Sequence, residues 1–238
     1  PAARPYCDLD LLVREEDFIK AGKVLEDLGY KAEESKFTHL QGFNCEEIFI
    51  HQKEPSRNLM VELHWDLYVL PGDKGSFNVK DLFLRSIQYE AASISFKVLD
   101  PIDTILACVL HMTMTHRNDI RLLSIYDISL LLKKITDKNT WHSLLERSVE
   151  VNARTGLEES VKLARHWTGL NLPPDYTDFH NWPVAPDREN RPVSNITKML
   201  HMLLKFYRTG DTGPIQKIKY TLRLFFPAAE HMRKTHPV

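Results

Sequence analysis

Asp8-Leu9-Asp10-Leu11-Leu12-Val13 is the stretch that decides the reading of this chain. Two carboxylates two residues apart, followed at once by an apolar run, read as a strand whose exposed end carries both acids. Strand side chains alternate between faces, so Asp8 and Asp10 point one way while Leu9 and Leu11 point into a core. Carboxylates held on one face repel each other unless a cation lies between them, and Mg²⁺ is the usual one. The pair therefore points to phosphoryl or nucleotidyl transfer. The bland reading of the same residues is a strand end kept soluble by its acids.

Working outward, Arg14-Glu15-Glu16-Asp17 places acids where the first turn of a helix favours them. Phe18, Ala21, Val24, Leu25 and Leu28 then recur at helical spacing, and Gly29 is a natural stop. A short strand is expected over 30–35 and a better one over 47–52, with Pro55-Ser56-Arg57-Asn58 as a turn. Residues 59–67 alternate clearly, with Val61, Leu63 and Trp65 on one face and Glu62, His64 and Asp66 on the other. The order β-α-β-β-β predicts a small mixed sheet backed by helices.

The texture changes near Pro101. Helices are expected around Ile102–Leu110 spacing, over 122–132, 141–152 and 157–168, the last closed by Gly169. Residues 171–187 are rich in Pro and polar side chains and read as a linker or surface loop. Two further helices are expected over 193–207 and 215–226. The fold class is α+β, a small mixed sheet followed by an all-helical region.

At 238 residues the chain can bury a substantial core, and no apolar run approaches a membrane span. The start, Pro-Ala-Ala-Arg-Pro-Tyr, reads as having no apolar segment of the signal-peptide kind, and a cytoplasmic protein is expected. Opening on Pro, it reads as processed or cut from something longer. Cys7, Cys45 and Cys108 are widely spaced with no CxxC pair, the pattern of reduced cysteines. A net charge of −1 hides an asymmetry: residues 191–238 hold nine Lys/Arg against two Asp/Glu, and residues 1–190 hold 22 against 30. The near-neutral total and the lack of a recognised motif argue against nucleic acid as a partner.

If the 59–67 strand lies beside the Asp8 strand, Glu62 completes a three-carboxylate site able to hold one or two Mg²⁺ ions. At this point the residues reach a family. Arg4-Pro5-Tyr6-Cys7 leading into Asp8–Val13, a helix ending in Leu28-Gly29-Tyr30, Val61-Glu62-Leu63-His64-Trp65, Leu99-Asp100-Pro101, and helices around His111, His116 and Asp127 together resemble the uncharacterised nucleotidyltransferase family. That family belongs to the polymerase-beta-type nucleotidyltransferase superfamily, and the resemblance covers roughly residues 4–175. It implies that Asp8 and Asp10 are metal ligands, that Glu62 takes the third carboxylate's place, and that the helical region helps to bind substrate. The superfamily also carries a Gly-containing turn upstream of the two Asp residues, and this chain begins after that point.

Further residues carry expectations with a bland reading beside each. His64 shares a face with Glu62, so it is expected to contact phosphate or acceptor, or else to be a half-buried histidine on a backbone carbonyl. Arg4, four residues ahead of Asp8, is expected to reach a phosphate. His111 and His116 are five apart and share a helix face poorly, which argues against a metal pair; the expectation is a substrate contact by one of them. Arg117, Arg121 and Asp127 are expected to line a substrate cleft, with structural ion pairs as the alternative. In the tail, Ile215, Ile218, Leu222, Phe225 and Phe226 form an apolar stripe beside Lys217, Lys219 and Arg223. Such a helix packs on its own domain or lies on an anionic membrane or a partner protein.

The expected organisation is an α/β nucleotidyltransferase-like domain over 1–99, a helical substrate-side region over 100–175, a linker or loop over 176–190 and a basic helical tail over 191–238. The expected function is Mg²⁺-dependent (or Mn²⁺-dependent) transfer of a nucleoside monophosphate from an NTP such as ATP to a hydroxyl of an acceptor. The alternative is a nucleotidyltransferase fold that binds a nucleotide or a protein partner without turnover.

Overall fold

The computed structural model of the chain describes residues 8–32, 46–52, 60–67, 77–115 and 120–186. They fall in two compact units, one ending at His64 and the other beginning at Trp65.

The first unit is built on a four-stranded sheet. Its strands are β1 (Asp8–Leu12), β2 (Tyr30–Ala32), β3 (Glu46–His51) and β4 (Met60–His64), in the order β1-β4-β3-β2. β1 and β4 run parallel and the other two pairs antiparallel, so the sheet is mixed. The acidic run forms a 3₁₀ turn, Glu15–Asp17, that feeds α1 (Phe18–Asp27). Gly29 follows at φ +90°, a left-handed conformation that costs glycine little and turns the chain back into β2.

α1 turns Phe18 and Leu25 inward. A Cβ at Gly22 would meet the Phe49 ring at 3.4 Å, so the missing side chain brings this helix close to β3. Phe49, Val61 and Leu63 are buried at 2%, 4% and 0% exposure on that side of the sheet. Leu9 and Leu11, expected in the core, are instead 56% and 37% exposed. They share the face of Val61 and Leu63, but among the described residues β1 is an edge strand with one neighbour, and alternation sets the face without ensuring a cover. β4 is also shorter than the alternation suggested. It ends at His64, and Trp65 to Leu67 form a bend.

The second unit opens with α2 (Val79–Arg85), capped by the Asn78 side chain accepting from Lys80 N at 2.9 Å. A hairpin of β5 (Ile87–Ala91) and β6 (Ile94–Val98) follows. Then come α3 (Pro101–Leu110), a π turn (His111–Thr115), α4 (Leu122–Leu132), α5 (Lys138–Glu150) and α6 (Arg154–Thr168). Asp100 caps α3 by accepting from Ile102 N and Asp103 N, with Pro101 at the first helical position. Gly169 ends α6 in the left-handed region, at φ +65°.

Leu106, Leu110, Ile128, Leu132, Leu144 and Leu157 make the centre of this unit. The Pro-rich stretch after α6 is pinned to the helices by its own aromatics. Tyr176 stacks on Trp141 with ring centroids 4.5 Å apart, and Trp182 meets Trp141 edge-on at 5.8 Å. The chain as a whole is α+β, as expected. The helices expected over 193–207 and 215–226, the turn at 55–58, Cys7 and Cys45 lie outside the described residues.

Candidate functional site

The parallel pairing of β1 with β4 sets Asp10 directly opposite Glu62 and Leu12 opposite His64. Beyond the last paired residues the ladder continues, with Val13 N donating to the carbonyl of His64 at 2.8 Å. The antiparallel pairing of β3 with β4 sets Glu46 opposite His64. Residues paired across a sheet project from the same face, so Asp10, Glu62, His64 and Glu46 meet on the side away from Phe49 and Leu63.

His64 is the centre of this group, with its side chain only 11% exposed. Its Nε2 lies 3.3 Å from Oδ1 of Asp10 and 3.6 Å from Oε2 of Glu62. Its Nδ1 faces Oε2 of Glu46 at 3.3 Å. Asp10, Glu62 and His64 each offer a ligand atom, all within 4.8 Å of one another, a spacing suited to one metal ion.

Asp8 lies on the same face of β1, one step further back, opposite Met60. Its charge is still felt. Burial raises the pKa of Glu62 above the usual carboxylate value, and the carboxylates of Glu46, Asp10 and Asp8 raise it further while His64 lowers it. A carboxylate held up in this way by its neighbours is relieved by a cation.

The sheet thus brings together Asp10, Glu62 and His64, with Asp8 beside them. Of the other expected site residues, His111 is exposed on the π turn, Arg121 is exposed at the start of α4, and Asp127 is half-buried within α4. All three belong to the helical unit. Arg4, His116 and Arg117 lie outside the described residues. Glu46 escaped the sequence reading, because that reading began the strand at Glu47 and the β3–β4 register is not a local property. The acidic pair Glu46-Glu47 was the available signal, since in a strand one of the two must share the face of the site. Glu47 takes the other face, where burial, aided by Glu26 on α1, raises its pKa.

None of the described helices is long and apolar enough to cross a membrane. No curated protein and no solved structure matches the chain. Residues 1–169, from the start of the chain through the glycine that ends α6, match the family described as uncharacterised nucleotidyltransferase. Together with the acidic group on paired strands, that match makes this chain a member of the uncharacterised nucleotidyltransferase family.

Proposed function

We propose that the protein transfers a nucleoside monophosphate from an NTP to the hydroxyl of an acceptor, using a divalent cation, Mg²⁺ or Mn²⁺, held by Asp8, Asp10 and Glu62. The observation that carries this reading is the side-by-side register of Asp10 and Glu62 on one sheet face, in a chain of nucleotidyltransferase ancestry. In the reaction, the acceptor oxygen bonds to the α-phosphorus, the bond to the bridging oxygen breaks, and pyrophosphate leaves with the electron pair. The acceptor's proton passes to Glu62, which stands beside Asp10 on the neighbouring strand. A dication at the site supplies charge compensation for the triphosphate and the leaving pyrophosphate. The strands supply positioning, because Asp10 and Glu62 are fixed by backbone pairing and not by loops. His111, Arg121 and Asp127 are proposed as substrate contacts of the helical unit on the family resemblance alone.

The test is calorimetric titration of the four NTPs, with and without Mg²⁺, into the parent chain and into the Asp8→Asn/Asp10→Asn double variant. Metal-dependent nucleotide binding is expected in the parent and its loss in the variant, with the circular dichroism of the two unchanged. Removal of two mutually repelling carboxylates leaves the metal-free fold intact. Retained Mg²⁺-dependent binding in the double variant overturns the assignment.

A further inference from the structure

The third member of the clustered group is an imidazole, not a carboxylate, and it is the most buried of the three. Its side chain is 11% exposed, against 69% for Asp10 and 21% for Glu62. Its place is fixed by backbone pairing on both sides, to Leu12 of β1 and to Glu46 of β3. Ligands in adjacent positions around an ion, at about 2.1 Å from it, stand roughly 3 Å apart. The contacts of Nε2 with Asp10 and Glu62, at 3.3 and 3.6 Å, are of that order, so one ion can take all three without rearranging the strands.

The surroundings favour a cation over an anion here. Four carboxylates, Asp8, Asp10, Glu46 and Glu62, share the face with this one histidine. Even an imidazolium leaves that group strongly negative, and a phosphate oxygen brought to Nε2 would be repelled by Asp10 and Glu62. The other ring nitrogen faces Glu46, whose side chain is 39% exposed. A carboxylate that accepts from the second nitrogen is the usual way a ligating histidine is oriented and made more basic, and Glu46, 3.3 Å from Nδ1, is within reach of that part.

The donor set bears on which ion fits. Mg²⁺ prefers oxygen ligands in strict octahedral geometry and keeps its waters, whereas imidazole nitrogen suits first-row transition metals. We infer that the site binds a first-row transition-metal dication in preference to Mg²⁺, with Nε2 of His64 as a direct ligand beside Asp10 and Glu62, and Glu46 as the residue that positions the imidazole. This rests on the proposed function insofar as both place a metal between Asp10 and Glu62.

Mn²⁺ is the probe, being visible by electron paramagnetic resonance and the weakest binder of its series, which makes it a demanding test. The full chain is titrated with Mn²⁺, and pulsed resonance then reads whether a nitrogen nucleus couples to the bound ion. Coupling to ¹⁴N is expected in the parent and its loss in His64→Gln, with Mn²⁺ affinity falling about 10- to 100-fold in that variant and in Glu46→Gln. Mg²⁺ is expected to displace Mn²⁺ only at a large excess. Bound Mn²⁺ without nitrogen coupling, or His64→Gln binding as tightly as the parent, overturns the inference. If Mg²⁺ binds, is lost in Asp10→Asn and shows no preference for Mn²⁺, this inference falls while the proposed function stands. If neither ion binds, both fall. Because the nitrogen signal is read in the parent, a misfolded variant does not decide the question.

Discussion

Asp103 is fully buried at the start of α3, where two guanidiniums meet its carboxyl group. Its Oδ2 accepts from Arg85 Nε at 2.8 Å and its Oδ1 from Arg147 Nε at 2.9 Å, tying α2 and α5 to α3. Asp103→Asn keeps the shape but removes the charge, and turns a donor toward one of the two guanidiniums. Breaking a buried ion pair costs about 3–5 kcal/mol, because the abandoned partner is left unpaired. The lower end applies here. Arg85 has a 39% exposed side chain and keeps Asp100 at 2.6 Å, and Arg147 keeps Glu150 at 2.9 Å.

A loss of about 3 kcal/mol, divided by a urea slope of roughly 2 kcal/mol per molar, moves the unfolding midpoint of the helical unit down by about 1.5 M. All four tryptophans, Trp65, Trp141, Trp167 and Trp182, lie in that unit, so intrinsic fluorescence follows its unfolding and not that of the sheet unit. Asp103→Leu combined with Arg147→Met leaves no charge stranded between α3 and α5, and is expected to recover much of the loss. A midpoint for Asp103→Asn within about 0.3 M of the parent would refute the claim that this carboxylate clamps the helices.

Glu158 on α6 is pushed up by burial, but hydrogen bonds from Arg154 and Lys162 and their charges outweigh that and hold its pKa below 4.5. Between that lowered value and 4.5 the unfolded chain binds more protons than the native one, so this contribution is complete above 4.5 and lost as pH falls through the lowered value. Melting temperature measured against pH should therefore drop less steeply on the acid side in Glu158→Gln than in the parent; identical slopes would remove Glu158 from the account. At Gly156, also on α6, an added Cβ would sit 2.9 Å from Thr113 Oγ1 and 3.2 Å from Val109 Cγ1. Alanine gains up to about 1 kcal/mol of helix propensity over glycine, while overpacking costs about 1–3 kcal/mol, so Gly156→Ala should lower stability in urea and Thr113→Ala in the same chain should restore part of it. An unchanged or raised midpoint for Gly156→Ala would show that the π turn yields to α6.

The parts of the fold that the sequence disclosed are those with local causes. Apolar alternation in β1 and β4, helical spacing in α1, and the glycines at 29 and 169 each act over a few residues. The β5–β6 hairpin gave no such signal. Its two-residue turn uses Ala92 and Ser93 at φ +48° and +65°, positions where Asn-Gly or Gly would have announced a hairpin. α2, at seven residues, is too short for its periodicity to stand out. The loop after α6 was legible as a loop, but composition says nothing about Tyr176 and Trp182 folding back on Trp141. The shared face of Asp8, Asp10, Glu62 and His64 was legible because two strand patterns each carried polar residues on one side. Glu46 was not, because only the register of β3 against β4 brings it to His64.

That register also makes the two aspartates unequal. β1 and β4 are parallel, so their carboxyl ends lie at the same edge, and β3, running the other way, begins there. Asp10, Glu62, His64 and Glu46 all sit at or near that edge, while Asp8 lies one pair deeper beside Met60, which offers no ligand. The open end of parallel strands is where backbone pairing runs out and side chains become available to a ligand. A slip of one residue between β1 and β4 would bring Leu9 or Leu11 beside Glu62 and turn both aspartates to the other face. The Val13 hydrogen bond to His64, one step beyond the last pair, resists that slip. The acidic motif is therefore only half of the site; the other half is the pairing that decides which acid stands beside Glu62.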